Sequence, residues 1–295
     1  MGQEVLSPVL VARQAMATRF EFVVHGINPA RLRAAAEEAL DEVERTENQL
    51  SLFRPHTDIA RVNAGGAAGP VRVAPQVFRL IQRAVALSKA TDGAFDITAG
   101  AWMRAWGFHP EAPPANALST DFTSGAEFLE LDSDAFTVRF TGTGMRLDLG
   151  ALGKGYALDR AAECLRDAGV TSALLHGGTS SIVAIGTPPD AAAGWKIALP
   201  TGEAVLLRNE SLSVSATWGR TVEVGGIQRG HVMDPRSGEP VSGPRLAAVV
   251  CPLAADSDAL STAFLVLGPA GRERIQQASR SDRLWFSTEV TPPIA

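Results

Sequence analysis

Apolar residues recur at strand or helix spacing along most of this chain. Between residues 18 and 25 every second residue is apolar, which predicts a half-buried strand. Behind a proline, the segment 29–50 carries apolar residues at helical spacing, and the segment from 75 to just before 93 does the same. A further helix is predicted over about 153–168, because a glycine follows its last apolar position. Three amphipathic helices and a strand are therefore expected.

Further apolar runs predict more strands. The runs 136–140 and 145–149 flank a glycine-containing loop, which is typical of a hairpin. Other strands are expected over 171–176, 195–199, 212–216, 221–224, 247–251 and 284–287, and a helix over 256–267. Because strands and helices do not alternate strictly, the pattern favours an α+β fold in a single mixed domain over 1–295. Residues 109–125 contain three prolines and few order signals, so a surface excursion is expected there.

Composition and charge exclude several classes of protein. The chain has 295 residues, of which 45% are hydrophobic, so it is not expected to be disordered. Its net charge is −5 and it has no run of Lys or Arg, so no nucleic-acid partner is expected. No apolar stretch approaches the ~20 residues of a membrane span. The first residues lack the basic and apolar regions of a signal peptide, which favours a cytoplasmic location.

A glycine-spaced turn is the most informative segment for chemistry. Residues 147–156 read LDLGALGKGY, an apolar run followed by the start of a predicted helix. Glycines let a backbone approach a ligand closely, and a helix start offers free N–H groups to an anion, next to the charge of Lys154. The segment lacks the spacing of a Walker A loop or of a dinucleotide-binding fold. A tight structural turn with a solvated lysine explains it equally well.

Two oxygen-bearing side chains share one face of the last predicted helix. Asp258 and Thr262 are four residues apart, and a carboxylate and a hydroxyl are ligands that suit Mg²⁺. The alternative is simple helix-start electrostatics, with Asp256 as the N-cap and Asp258 in the first turn.

Two other segments carry candidate groups. His231 precedes a Pro/Gly turn and is a candidate general base, although a hydrogen-bonded structural histidine is the simpler interpretation. Residues 92–98 place two carboxylates before three aromatic residues, Trp102, Trp106 and Phe108. Such aromatics could sandwich a planar ligand, or they could simply pack in the core.

Taken in order, these segments resemble one family, the FAD:protein FMN transferases, also called the ApbE family. The resemblance runs through almost the whole chain and includes both the glycine-spaced turn and the segment around Asp258. The segments that carry it are 16–18 (MAT), 50–63, 93–96 (GAFD), 106–108 (WGF), 148–159 (DLGALGKGYALD), 231–238 (HVMDPRSG) and 258–268.

The resemblance implies a chemistry. Members transfer FMN from FAD to a Thr or Ser hydroxyl of a target protein, release AMP and use Mg²⁺. It implies metal ligands at Asp258, Thr262 and the backbone carbonyl of Ala151. His231 is the candidate to accept the hydroxyl proton, with Asp258 as a competing candidate. The implied FAD contacts are Met16, Phe53, Ala94, Phe95, Asp96, Asp148, Lys154 and Val232.

Three positions depart from the family pattern. Phe53 stands where members often carry Tyr, Thr179 follows the two glycines where Asp or Asn is usual, and Trp218 stands where a small residue is common. A second function therefore stays open, namely a protein of the same fold that hydrolyses FAD to FMN and AMP or only holds FAD. The family's acceptor segments follow the pattern Asp-x-x-Ser/Thr-Gly-Ala-Ser/Thr. Residues 121–127 come near this pattern, but Glu127 replaces the acceptor hydroxyl.

Overall fold

The structure is a computed structural model that describes residues 8–109, 121–224 and 226–289. It mixes helices and strands without βαβ alternation, which confirms the predicted α+β class. The helices are α1 (Pro29–Leu50), α2 (Asp58–Gly65), α3 (Pro75–Ala90), α4 (Gly100–Ala105), α5 (Gly153–Asp167), α6 (Ala254–Leu267) and α7 (Arg272–Ser279). The strands are β1 (Val9–Ala15), β2 (Thr18–His25), β3 (Val71–Arg72), β4 (Leu129–Asp132), β5 (Thr137–Phe140), β6 (Ser172–Gly177), β7 (Ser181–Ile185), β8 (Trp195–Ala198), β9 (Ala204–Leu207), β10 (Ser211–Ala216), β11 (Thr221–Val224), β12 (Ile227–Gly230), β13 (Met233–Asp234), β14 (Glu239–Pro240), β15 (Leu246–Cys251) and β16 (Leu284–Ser287).

The chain divides into two compact units, each assembled from separate segments. The first unit comprises Met1–Glu47, Leu152–Val214 and Val249–Asp258. The second comprises Asn48–Ala151, Ser215–Ala248 and Ala259–Ala295. The single domain expected over 1–295 stays a prediction.

The first unit is built on an antiparallel sheet. Strands β1, β2, β6 and β7 lie side by side in that order, followed by β10 and β15. The predicted strand over 18–25 is confirmed, since Phe20, Phe22 and Val24 are completely buried. They pack with the apolar faces of α1 and α5 in one core cluster. The sheet thereby supports the start of α5, where the glycine-spaced turn ends.

The second unit contains a three-stranded sheet in the order β3, β5, β4 and the two-stranded hairpins β11–β12 and β13–β14. The expected hairpin between 136–140 and 145–149 is wrong, because β5 pairs with β4 and β3 instead. Residues 145–149 form no strand, although Arg146 makes an isolated parallel bridge with Ala99 and the Asp148 amide donates to the Ile97 carbonyl at 2.7 Å. Their backbone is held by a side chain, since Asn63 accepts from the Leu147 amide at 2.7 Å and donates to its carbonyl at 3.0 Å. The apolar alternation there reports burial rather than strand pairing.

The expected surface excursion over 109–125 stays a prediction, since the structure describes only its two ends. His109 is buried, with 4% exposure. At the other end, the Gly125 amide donates to the Thr98 hydroxyl at 2.7 Å, and the Ala126 amide beyond it donates to the Asp96 carboxylate at 2.9 Å. Residues 110–120 lie outside the described residues. Within the described residues, no helix is both long and apolar enough to cross a membrane.

Candidate functional site

The glycine-spaced turn ends at the first turn of α5, where the helix packs closely on α6. Gly155 is buried there, and a Cβ atom at this position would lie 2.1 Å from the Ala254 carbonyl oxygen. Only glycine therefore allows the two helix starts to meet. At the same point the Gly155 amide donates to Oδ2 of Asp258 at 2.7 Å. The first-turn N–H groups of α5 have no partner within the helix, so this bond satisfies one of them.

Asp258 is buried and held by further donors. Its other oxygen, Oδ1, accepts from the hydroxyls of Ser181 at 2.7 Å and Ser213 at 2.6 Å. The Ser213 hydroxyl also lies 2.8 Å from that of Ser257, one residue before Asp258. Three donors from separate segments thus fix the orientation of one carboxylate. Buried polar groups need such partners, so Asp258 is an oriented, buried carboxyl group rather than a surface residue.

Thr262 lies one helical turn after Asp258, as the spacing predicts. Its hydroxyl is 3.2 Å from that of Ser215, which also lies 2.8 Å from the hydroxyl of Ser261. Ser213 and Ser215 are alternate residues of β10, so they point to the same side of that strand. The sequence reasoning missed this row of serines, although its period of two inside an apolar run is a readable signal.

Asp159 explains why α6 begins where it does. Its carboxylate accepts the amides of Ala254 at 2.8 Å and Ala255 at 2.9 Å, the first two residues of the helix. The expectation that Asp256 is the N-cap is therefore wrong, since the helix begins two residues earlier and a residue of α5 caps it. Burial raises the pKa of Asp159 to about 7, with the charges of Asp256 and Asp258 acting in the same direction and the two amides acting against it.

A second cluster, confined to the second unit, joins Phe53, His109 and Asp148. Nε2 of His109 lies 2.9 Å from Oδ2 of Asp148, while the Gly150 amide donates to Oδ1 at 2.7 Å. The ring of Phe53 is half exposed and meets His109 edge-on, with 5.8 Å between ring centroids. Burial acts to raise the pKa of Asp148, but His109 and the Gly150 amide outweigh it and hold that pKa below its usual range. The sequence pattern does not reveal His109, because its neighbouring prolines favour a surface loop.

Asp96 anchors the loop that follows α3. Oδ1 accepts the Thr98 amide and hydroxyl at 2.8 and 2.7 Å, and Oδ2 accepts the Ser88 hydroxyl and the Ala126 amide at 2.9 Å each. Four donors saturate both oxygens, so this carboxylate organises the loop. Ala94 and Phe95 beside it are buried. Packing explains all three residues, and their contact with FAD stays a prediction.

His231 follows β12 directly and contacts the Arg220 carbonyl twice. Its amide donates to the Arg220 oxygen at 3.1 Å, and its ring Nδ1 lies 3.2 Å from the same oxygen. Because a carbonyl oxygen only accepts, Nδ1 carries the proton of the neutral ring and Nε2 carries the lone pair. The neighbouring Val232 is buried. In this tautomer Nε2 is the ring atom with the basic lone pair, and its role as proton acceptor stays a prediction.

The turn behind His231 packs on the aromatic cluster. Trp106 donates its indole N–H to the Gly238 carbonyl at 2.8 Å, and a Cβ atom at Gly238 would lie 2.4 Å from the Trp102 ring. Gly238 also has a φ of +71°, which L side chains rarely adopt. The aromatic residues are thus structural partners of the 231–238 segment, as the core-packing alternative expects.

Met16 and Ala17 form the two-residue turn between β1 and β2. Both have positive φ, +51° and +57°, which costs non-glycine residues energy. The turn therefore places Met16 in a strained backbone conformation, which is common at ligand-contacting positions.

A magnesium ion is compatible with the groups present. Among the described residues, no three His, Cys, Asp or Glu side chains group together as a metal site would need. An ion at Asp258 and Thr262 would therefore require hydroxyl, carbonyl and phosphate oxygens to complete its ligands. That is the ligand chemistry of Mg²⁺ rather than of zinc.

Comparison with known proteins identifies a family. The model of the ApbE family matches residues 16–284. A FAD:protein FMN transferase of Rhodobacter capsulatus is 31% identical over 88% of this chain, which spans only 51% of that relative. One of Klebsiella pneumoniae is 31% identical, over 70% of this chain and 67% of the relative. The crystal structure of the ApbE protein of Thermotoga maritima superposes with a TM-score of 0.82 at 26% identity, covering 94% of this chain and 93% of that structure.

Proposed function

Since this chain belongs to the ApbE family, we propose that it is a FAD:protein FMN transferase that moves FMN from FAD to a Ser or Thr hydroxyl of a target protein and releases AMP. The observation that carries the proposal is the hydrogen bond from Gly155 to Asp258. It joins the glycine-spaced turn, which suits a phosphate, to the carboxylate that suits a metal. Packing alone would require the glycine but not the buried charge.

The proposed metal site uses Asp258, Thr262 and the backbone carbonyl of Ala151. The three donors to Asp258 fix its orientation before any ion arrives, so little reorganisation accompanies binding. When bound, Mg²⁺ would neutralise charge on the pyrophosphate of FAD.

Several segments of the chain supply the proposed FAD contacts. Lys154 lies in the first turn of α5, where its charge and the helix N–H groups favour the pyrophosphate. Phe53 offers a half-exposed ring face for stacking, and Asp148 is held ionised by His109 beside it. Met16, Val232 and the 94–96 loop complete the proposed contacts.

The transfer step needs a proton acceptor and a stabilised leaving group. The target hydroxyl attacks the FMN-side phosphorus, the bond from that phosphorus to the AMP oxygen breaks, and AMP departs. We assign the hydroxyl proton to Nε2 of His231, because the Arg220 carbonyl occupies Nδ1. Asp258 is the competing acceptor, but it is already proposed to hold the metal ion.

The proposed function is tested by incubating the protein with FAD, Mg²⁺ and an acceptor protein. Covalent flavin on the acceptor together with AMP is the expected result. Free FMN and AMP without labelled acceptor would assign hydrolysis instead. FAD binding without turnover would show that the protein only holds FAD. The departures from the family pattern at Phe53, Thr179 and Trp218 leave that alternative open.

A further inference from the structure

An open cleft of about 380 Å³ lies within the second unit, beside the β11–β12 hairpin. Its lining comes from Thr217 and Trp218, the whole of β12, residues 241–244 and, at the open end of the hairpin, Thr221 of β11, which pairs with Gly230. None of the residues proposed above to contact FAD or the metal lines it. The cleft is therefore available for another ligand.

One wall of the cleft is the edge of a strand. All four residues of β12 line it, although neighbouring side chains of a strand point to opposite faces. What consecutive residues share is the strand's edge, with its backbone N–H and C=O groups. In the described structure β12 pairs only with β11, so this edge has no strand partner. Such an edge accepts an extended peptide as an added strand.

Residues 243 and 244, which also line the cleft, are held in place by Thr217. The Thr217 hydroxyl donates to the Gly243 carbonyl at 2.8 Å and accepts the Arg245 amide at 3.0 Å, while the Thr217 amide donates to the Arg245 carbonyl at 3.1 Å. These bonds hold residues 243–245 against Thr217, which also lines the cleft. A preformed groove lowers the entropic cost of binding a flexible segment.

Charge selects the kind of peptide. Among the described residues that line the cleft, Arg229 carries the only formal charge. Its Nε is buried and has no hydrogen-bond partner among the described residues. A carboxylate on the incoming segment would supply that partner through a charge-assisted bond. Trp218 adds an aromatic surface for an apolar neighbour.

The position of the cleft connects it to the reaction. Gly230 lines it, and the next residue is His231, the proposed proton acceptor. At ~3.3 Å per residue, β12 spans about 13 Å and faces about four residues of an added strand. A peptide paired with β12 would thus run towards His231.

We propose that this cleft binds the acceptor segment of the target protein, as an extended strand on the free edge of β12 with an acidic residue at Arg229. This inference rests on the proposed function for its chemistry. Binding of the segment is measured without turnover, however, so the two ideas can fail separately.

The test uses a short fluorescein-labelled peptide that carries one Asp followed by a Thr and contains no Pro. Its dissociation constant is measured by fluorescence anisotropy with the full chain, without FAD. Ser242→Tyr fills the cleft from an exposed position, and Ser133→Tyr, exposed on the β4–β5 turn, is the matched control. A second peptide has alternate backbone amides N-methylated, which prevents strand addition.

We expect Ser242→Tyr and N-methylation each to weaken peptide binding at least about tenfold, with no effect of Ser133→Tyr. Arg229→Gln should weaken the Asp peptide but not its Asn counterpart. Equal binding of the peptide by the wild type and Ser242→Tyr, or no binding by the wild type, would overturn the proposal that this cleft binds the acceptor segment. If the peptide binds as expected but is never labelled in the presence of FAD and Mg²⁺, the cleft stands and the proposed transfer fails.

Discussion

The backbone amide of Gly155 donates to Oδ2 of Asp258 at 2.7 Å, although the two residues are 103 positions apart. One lies in the glycine-spaced turn and the other on α6. The bond joins two segments that are distant in sequence, one a candidate phosphate-binding turn and the other a candidate metal-binding helix.

Gly155→Ala should disrupt this arrangement. The added Cβ would lie 2.1 Å from the Ala254 carbonyl, so α5 and α6 must separate. Overpacking of this kind costs about 1–3 kcal/mol, which should appear as a lower denaturant midpoint. Gly69→Ala is the control, since nothing lies within 4 Å of its Cβ position. Equal losses in the two variants would mean that the close approach is not stabilising.

Asp159 should make stability depend on pH. Its pKa is about 7 in the folded protein and 3.8 in the reference state, so the unfolded chain ionises first as the pH rises. The protonated Asp159 side chain therefore contributes fully to the unfolding free energy below pH 3.8. This contribution falls between pH 3.8 and 7 and is lost above pH 7, a change of about 4 kcal/mol in the unfolding free energy. Asp159→Asn removes the titration. The difference in unfolding free energy between wild type and variant should therefore change across this window, and a constant difference would contradict the account.

Lys154→Met should weaken FAD binding at low salt. The ammonium group at the start of α5 is proposed to face the pyrophosphate, and this attraction is screened as ionic strength rises. Calorimetric titration with FAD at two salt concentrations measures the effect, which should shrink at high salt. Lys196→Met, on the exposed side of β8, is the matched control. The same affinity for FAD in all three proteins at low salt would make Lys154 a solvated surface charge.

His231→Gln should slow the transfer step and leave FAD binding intact. Glutamine can still donate to the Arg220 carbonyl but cannot accept the hydroxyl proton, so a loss of about 10²–10⁴ in rate is expected. A quenched-flow experiment, in which the enzyme is mixed rapidly with acceptor protein and FAD and then quenched, gives the single-turnover rate of transfer. His56→Gln, an exposed histidine, should behave like the wild type. A near-normal rate of transfer in His231→Gln would show that His231 has only a structural role.

Much of the fold follows from local pattern. The spacing of apolar residues predicts α1, α3 and α5 within one or two residues at most ends, since each helix buries one face. It fails at residues 145–149, where alternation reflects burial and the backbone is held by the Asn63 side chain and by residues 97–99 instead of a hairpin partner. Alternation cannot distinguish these two causes.

The candidate site is less readable from sequence. Asp258 and Thr262 are visible because one helix presents them at fixed spacing. The groups that orient them come from elsewhere, Ser181 and Ser213 from two strands and the cap of α6 from Asp159. Such contacts depend on tertiary structure. His109 is a further case, since its neighbouring prolines favour a loop and only folding brings it to Asp148.

The most direct measurement is the ratio of AMP released to flavin covalently bound, followed on an acceptor protein by mass spectrometry and nucleotide chromatography. The account predicts one AMP per flavinylated hydroxyl for the wild type with FAD and Mg²⁺. Asp258→Asn should show little of either product at any Mg²⁺ concentration, because the buried carboxylate is proposed to hold the ion. AMP released together with free FMN and no labelled acceptor, or unchanged transfer by Asp258→Asn, would contradict it.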